Sequence, residues 1–339
     1  MRIRRRLPIW FGVLLVAAAI ALVVSLRKHA PPEPARLLPG ADGYVYANLK
    51  WIRRANITGQ LPAVAHDPEY EQFIQATGFQ FERDLDQAAL AIHYAASLPA
   101  SPGVAPQPRF SEIFVGKIDG EKLRAYLRQL AASVESDGSV DIYSIPLEGR
   151  TLRVAILSVD TVAASNHPDP QVIRSIVERS RKLASPFGGP ALLRQYYKRV
   201  PLASLAWAIF KVDPSAPPGY SSPMDMSLLF SKPATVVASV RYLGSIHLRA
   251  EAFTGSPDEA QHVTGQLETF LNIFHTAETT LPAQASDPDV KEFFSSLKVQ
   301  QTTDRVALTA TMPPGFLRKA VAGSPADLLP SAAGRAPAN

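Results

Sequence analysis

A histidine and an aspartate two residues apart, His167 and Asp169 in the segment SNHPDPQ, are the residue types that proton transfer needs. Three other segments weigh against that chemistry. HDPEYEQF (66–73), NHPDPQVI (166–173), GSPDEAQH (255–262) and SDPDVKEF (286–293) each set Asp or Ser, then Pro, ahead of a helical pattern. Proline at the first helical position loses no intrahelical hydrogen bond, and the preceding side chain accepts from the orphan N–H groups. Asp67, Asp169, Ser256 and Asp287 are therefore predicted helix caps, and His167 merely precedes one of them.

Two further spacings carry chemistry elsewhere. Glu259 and His262 have the i, i+3 spacing of a carboxylate-bridged di-metal site. Such a site needs two copies and further glutamates, and there is one copy, so no metal and no cofactor is expected. Ser295 and Lys298 form Ser-x-x-Lys, the pair of an activated-serine hydrolase, without its partner motifs. His-Glu-x-x-His, Gly-x-Ser-x-Gly, the P-loop and Gly-x-Gly-x-x-Gly are all missing. There is no cysteine, hence no disulfide, no thiolate metal site, no cysteine nucleophile and no lipid-modified cysteine. The expectation is a binding or scaffold protein without catalytic activity. A carrier or sensor of a lipid-like apolar ligand and an extracytoplasmic hydrolase are the alternatives.

Charge and apolar residues mark the candidate contact surface. Arg174, Arg179, Arg181, Lys182, Arg194, Lys198 and Arg199 face only Glu178 over 174–199, with Tyr196 and Tyr197 among them. Such a patch suits anionic lipid headgroups or another envelope protein. The segment PPGYSSPMDMSLLF (217–230) carries Met224, Met226 and Phe230, either as a lid on the core or as an exposed lip. His247, Arg249 and Glu251 alternate on one strand and read as a solvated sheet face.

What holds these residues in place begins with the N-terminus. Arg2, Arg4, Arg5 and Arg6 precede eighteen uncharged residues, Ile9 to Leu26, which as a helix would span about 27 Å, close to one hydrocarbon core. The arginines stay cytoplasmic by the positive-inside bias, and Arg27 and Lys28 flank the other end as in an uncleaved signal anchor. The bulk of the chain is then extracytoplasmic, tethered to the cytoplasmic membrane through the proline-rich APPEPARLLPG, expected to be extended. The first 30 residues hold six of the 35 Lys and Arg and none of the 30 Asp and Glu, so the rest of the chain is close to neutral. The basic character belongs to the anchor and gives no argument for nucleic acid.

Beyond the tether the period-2 and period-3.6 patterns alternate, as in an α+β protein. Strands are expected at 43–49, 87–95, 111–119 and 204–212. Hairpins are expected across Glu148-Gly149 and Gly244. The helix GEKLRAYLRQLAAS should bury Leu123, Tyr126, Leu127, Leu130 and Val134, and DEAQHVTGQLETFLNIF should be the strongest helix. The expected plan is a basic tail (1–8), a transmembrane helix (9–26), a linker (27–37), two similar modules of antiparallel sheet with helices on one face (38–199 and 200–322) and a disordered tail (323–339). The patterns LLPGADGYVYANL, LDQAALAIHY, FVGKIDGEKLRAYL, IYSIPLEGRTLRVAILSVDTVAAS and VPLASLAWAIFKV resemble those of uncharacterised bacterial envelope proteins with one N-terminal anchor and a duplicated α+β domain. That resemblance implies no catalytic residue.

Overall fold

The computed structural model describes residues 30–54, 66–95, 107–147, 149–182, 188–215, 226, 228–280, 288–313 and 315–316. The expected anchor, the cytoplasmic tail, the C-terminal tail, Met224 and Asp287 lie outside the described residues. Among the described residues no helix is long and apolar enough to cross a membrane.

Among the described residues twelve strands make one sheet, antiparallel throughout. In chain order they are β1 (Gly43–Asn48), β2 (Leu85–His93), β3 (Arg109–Gly116), β4 (Ser133–Asp137), β5 (Val140–Leu147), β6 (Arg150–Ile156), β7 (Thr161–Ser165), β8 (Ala206–Val212), β9 (Ala234–Tyr242), β10 (Ile246–Phe253), β11 (Lys298–Thr302) and β12 (Arg305–Met312). Their spatial order is β11-β12-β10-β9-β8-β1-β2-β3-β7-β6-β5-β4. The helices are α1 (Glu33–Leu37), α2 (Leu49–Arg54), α3 (Pro68–Thr77), α4 (Phe81–Asp84), α5 (Gly120–Leu130), α6 (Gln171–Arg181), α7 (Ala191–Tyr196), α8 (Pro257–Thr280) and α9 (Pro288–Ser295).

The structure corrects three expectations. The halves do not build separate sheets: β1 pairs with β8 as well as with β2, through Gly43–Phe210, Val45–Ala208 and Ala47–Ala206. Neither strand has an edge left free, so the ladder runs on. The helices cover both faces. Leu123 and Leu127 of α5 pack on Val154, Val162 and Ala164, whereas Ile173, Ile176 and Val177 of α6 pack with Ile113, Ala155 and Ala163. Adjacent residues such as Val162 and Ala163 point to opposite faces, so these are two cores on either side of one sheet. Part of the expected linker is helix: Pro34, Ala35 and Leu37 of α1 are buried, and Arg179 Nη1 donates to the carbonyls of Leu37 (3.2 Å) and Leu38 (2.5 Å).

Pairing partners share a face, so a row can be read straight across the sheet: Val299, Leu308, Ala250, Ala238, Ala208, Val45, Leu90, Glu112, Ala164, Val154, Tyr143 and Val134. Eleven strands supply an apolar or aromatic side chain. The twelfth, β3, supplies a glutamate.

Candidate functional site

Asp67 and Ser256 act as the predicted caps, whereas α6 has Pro170 at its cap position and Asp169 one residue before it, bonded to the first helical N–H. Asp67 accepts from Tyr70 N (2.7 Å), Asp169 from Gln171 N (2.8 Å) and Ser256 Oγ from Glu259 N (3.3 Å). His167 Nδ1 accepts from Asp169 N (3.1 Å), and its backbone N–H donates to Ser165 Oγ (3.2 Å). The histidine completes a turn.

The remaining candidates are largely absorbed by structure. Glu259 is buried, and its carboxylate accepts from Ser231 N, Ser231 Oγ and Lys232 N at 2.8, 2.6 and 3.1 Å. Burial pushes its pKa up, but those bonds outweigh it and hold the acid below the usual range. Glu259 thus fastens the loop before β9, while His262 is exposed. Among the described residues no cluster of His, Asp and Glu could hold a metal ion. Ser295 Oγ donates to Glu292 O (3.0 Å), the carbonyl of its own last helical turn, and Lys298 opens β11 opposite Thr309. On the expected solvated face Glu251 is buried instead, paired with Arg249.

The basic run divides. Arg174 pairs with Glu135 (2.7 Å), Arg181 with Asp137 (2.9 Å), Lys182 with Glu178 (2.5 Å), and Arg179 holds α1. Arg194 and Lys198 are exposed, and the exposed Arg199 lies 5.4 Å over the Phe253 ring. Tyr196 packs on Phe253 (5.1 Å) and Tyr197 on Trp207 (5.3 Å). Phe230 is not on a lip: it is 3% exposed in the core formed with Val212, Val236 and Val263, and Met226 packs against the same cluster. An aromatic ring following a proline-rich loop found apolar surface to cover.

Two arrangements were not foreseen. The first is a polar chain inside the sheet. His93 Nε2 and Ser111 Oγ are 3.1 Å apart, Ser111 Oγ and Ser165 Oγ 2.9 Å, and the His93 and His167 rings 4.8 Å. A hydroxyl beside an imidazole is nucleophile chemistry, but His93, Ser111 and Ser165 are all buried, and burial pushes His93 down to about 4. The chain ties the turn before α6 to three strands. Its signal in the sequence was a polar residue where alternation calls for an apolar one: His93 after Ala89 and Ala91, Ser111 before Ile113, Ser165 after Ala163.

The second is a cavity of about 670 Å³ between α3, α5 and the sheet. Its floor includes Phe114, Ile145, Val154 and Val162, its helical walls Phe73, Leu123 and Leu127, and its end Phe79 and Phe81. Gly78, at a φ of 72°, closes α3 and turns the chain so that Phe79 and Phe81 follow. The Phe73, Phe79 and Phe81 rings contact one another at 5.3–6.2 Å, and Phe81 meets Phe114 at 6.1 Å. Phe81, Leu130 and Leu147 line it too, exposed by 39, 44 and 49%. Glu112 stands in this lining with no hydrogen bond or ion pair among the described residues, and burial raises its pKa.

No family model and no curated protein matches the chain. Two crystal forms of TP0453 are similar solved structures. Form III has a TM-score of 0.47 and 9% identity, covering 85% of this chain and 97% of that one. Form I has a TM-score of 0.44 and 10% identity, covering 86% and 97%.

Proposed function

We propose that this protein is a membrane-tethered, extracytoplasmic binding protein that takes the apolar part of a lipid-like molecule into the cavity between α3, α5 and the sheet. The carrying observation is that cavity: about 670 Å³, walled mainly by aromatic and aliphatic side chains, open at an apolar rim, with the half-buried Glu112 in its lining. Ligand sites commonly enclose about 300–1,000 Å³ with mostly apolar walls and few polar groups. Apolar walls favour a hydrocarbon chain, and Glu112, whose burial raises its pKa, offers one polar side chain to a polar group on the ligand. The anchor expected at residues 9–26 supports the location, because it would keep the cavity close to a lipid source. The shared strand sequence of the halves, β1-β2-β3 with β7 beside β3 and β8-β9-β10 with β12 beside β10, supports reading them as two copies of one design.

Native mass spectrometry of the full chain, released gently from its own membranes, tests the binding. The expected result is added mass of one lipid-sized molecule, lost in Leu130→Asp, which charges the exposed rim without touching the core. An apo mass for the parent, or unchanged adducts in Leu130→Asp, would overturn the assignment of ligand to cavity.

A further inference from the structure

A second pocket, of about 550 Å³, lies at the point where the described chain begins. Pro32 lines it, together with Tyr46, Trp51, Tyr197, Leu202, Trp207 and Tyr242. Its floor is aromatic: Tyr46 stacks on Trp207 at 5.5 Å and Tyr197 meets the same ring edge-on at 5.3 Å. Trp207 is 3% exposed, and its Nε1–H has no partner among the described residues. A buried donor without an acceptor costs on the order of 1–3 kcal/mol, so this pocket keeps a polar demand unmet. Above the floor, Trp51 and Leu202 are each 55% exposed and Tyr242 38%. Leu202 precedes Ala203, whose φ of 60° is strained for a residue with a Cβ. The chain thus tolerates strain in a turn that holds a leucine in water.

The pocket's neighbourhood is cationic. Arg54 lies 5.5 Å over the Trp51 ring, and Arg54, Lys198 and Arg199 are exposed. Exposed Trp, Tyr and Leu beside arginine and lysine is the composition of a membrane–water interface, where amphipathic rings lie at headgroup depth and cations meet anionic lipid.

Tether length selects the occupant. The apolar run ends at Leu26, and Pro31 is already buried in the folded body. Five residue steps reach at most about 18 Å even fully extended. With the run in a bilayer, the surface around Pro31 and Pro32 stays within that distance of the headgroups. We infer that the face formed by Trp51, Leu202 and Tyr242 rests on the bilayer that holds the chain's own N-terminal segment. This rests on the anchor reading in the proposed function, not on ligand binding in the cavity under α5.

Tryptophan fluorescence tests it, because Trp10, Trp51 and Trp207 are the three tryptophans of the chain. The full chain carrying Trp10→Phe is reconstituted into phosphatidylcholine–phosphatidylglycerol vesicles brominated near the top of the acyl chains. The expected result is quenched emission, most of the quenched part lost in Trp51→Phe, and relief of quenching by Leu202→Asp while the chain survives an alkaline carbonate wash. A chain that survives the wash with unquenched emission overturns the docking face and leaves the anchor standing. A chain released by the wash removes the anchor, and the docking inference falls with it.

Discussion

Glu112 has an acid's side chain and no base to meet it. Burial holds its proton to higher pH in the folded protein than in the unfolded chain. Between those two pKa values the native state binds more protons, so stability falls as pH rises through that window. Glu112→Gln is expected to flatten this part of the curve and to be more stable than the parent at its alkaline end. Urea midpoints from about pH 4, the usual carboxylate range, upward would show it. His66 works in the same sense through a different cause. Its Nδ1 is 2.7 Å from Glu71 and its Nε2 3.3 Å from Glu82, with the Tyr70 ring 4.7 Å away. The Glu71 hydrogen bond leads in raising its pKa, so the contribution is full below the ordinary histidine value and is lost as pH rises through the raised one. His66→Ala should remove that pH dependence from the amide protection of α3. At this scale the caps were legible in the sequence, because a cap is a bond between residues two or three apart. The His93–Ser111–Ser165 chain was not, because its members meet only when β2, β3 and β7 are already side by side. Glu112 was hidden for the same reason: alternation on one strand shows which residues share a face, and only the neighbouring strands show that the face is apolar.

Among the elements, α1 shows how far one side chain can reorganise a segment. EPARL reads as a proline-rich spacer. It is helix because Ala35 and Leu37 find the core beside Tyr44 and Ile176, and because the half-buried Arg179 satisfies the carbonyls at its end. Arg179→Ala leaves those carbonyls unpaired, at a cost of roughly 2 kcal/mol for charge-assisted bonds. Denaturant unfolding should show that loss, and hydrogen exchange should show it concentrated in residues 33–38. The β4 strand failed to be legible for a different reason. Val134 stands at helical spacing from Leu127 and Leu130, so the apolar stripe of the sequence continues past Leu130. The helix stops because Ala131 takes an extended ψ of 129°, and Gly138, at a φ of 61°, supplies the two-residue hairpin turn to β5. The Gly-Ser pair at 138–139 was the available signal.

For the whole molecule, the α+β class and most strands could be read from periodicity, while the fusion of the halves could not. Nothing local marks β1 and β8 as partners; both are strands with apolar residues on two faces, and each simply needs a neighbour on either side. The consequence is a shared core in which Tyr44, Ile113, Trp207, Ile209 and Val237 belong to one cluster. Ile209 is fully buried in it, and Ile209→Ala should cost about 2–5 kcal/mol. The loss should appear in one transition that far-UV circular dichroism and tryptophan emission report together. Separate transitions for the two halves would show that the seam between β1 and β8 does not couple them. The sheet's outer strands, β4 and β11, carry Glu135, Asp137 and Lys298, charges that discourage pairing with another chain at either edge.

The seam also sets how the protein would bear a load. A pull from the N-terminal side passes through α1 into β1, which lies in the middle of the twelve strands and not at a border. It acts along the strand, so the hydrogen bonds to β2 and to β8 are strained together in shear instead of opening one after another like a zip. A body attached in this way should yield late and all at once, a mechanical fuse set at the centre of its own ladder.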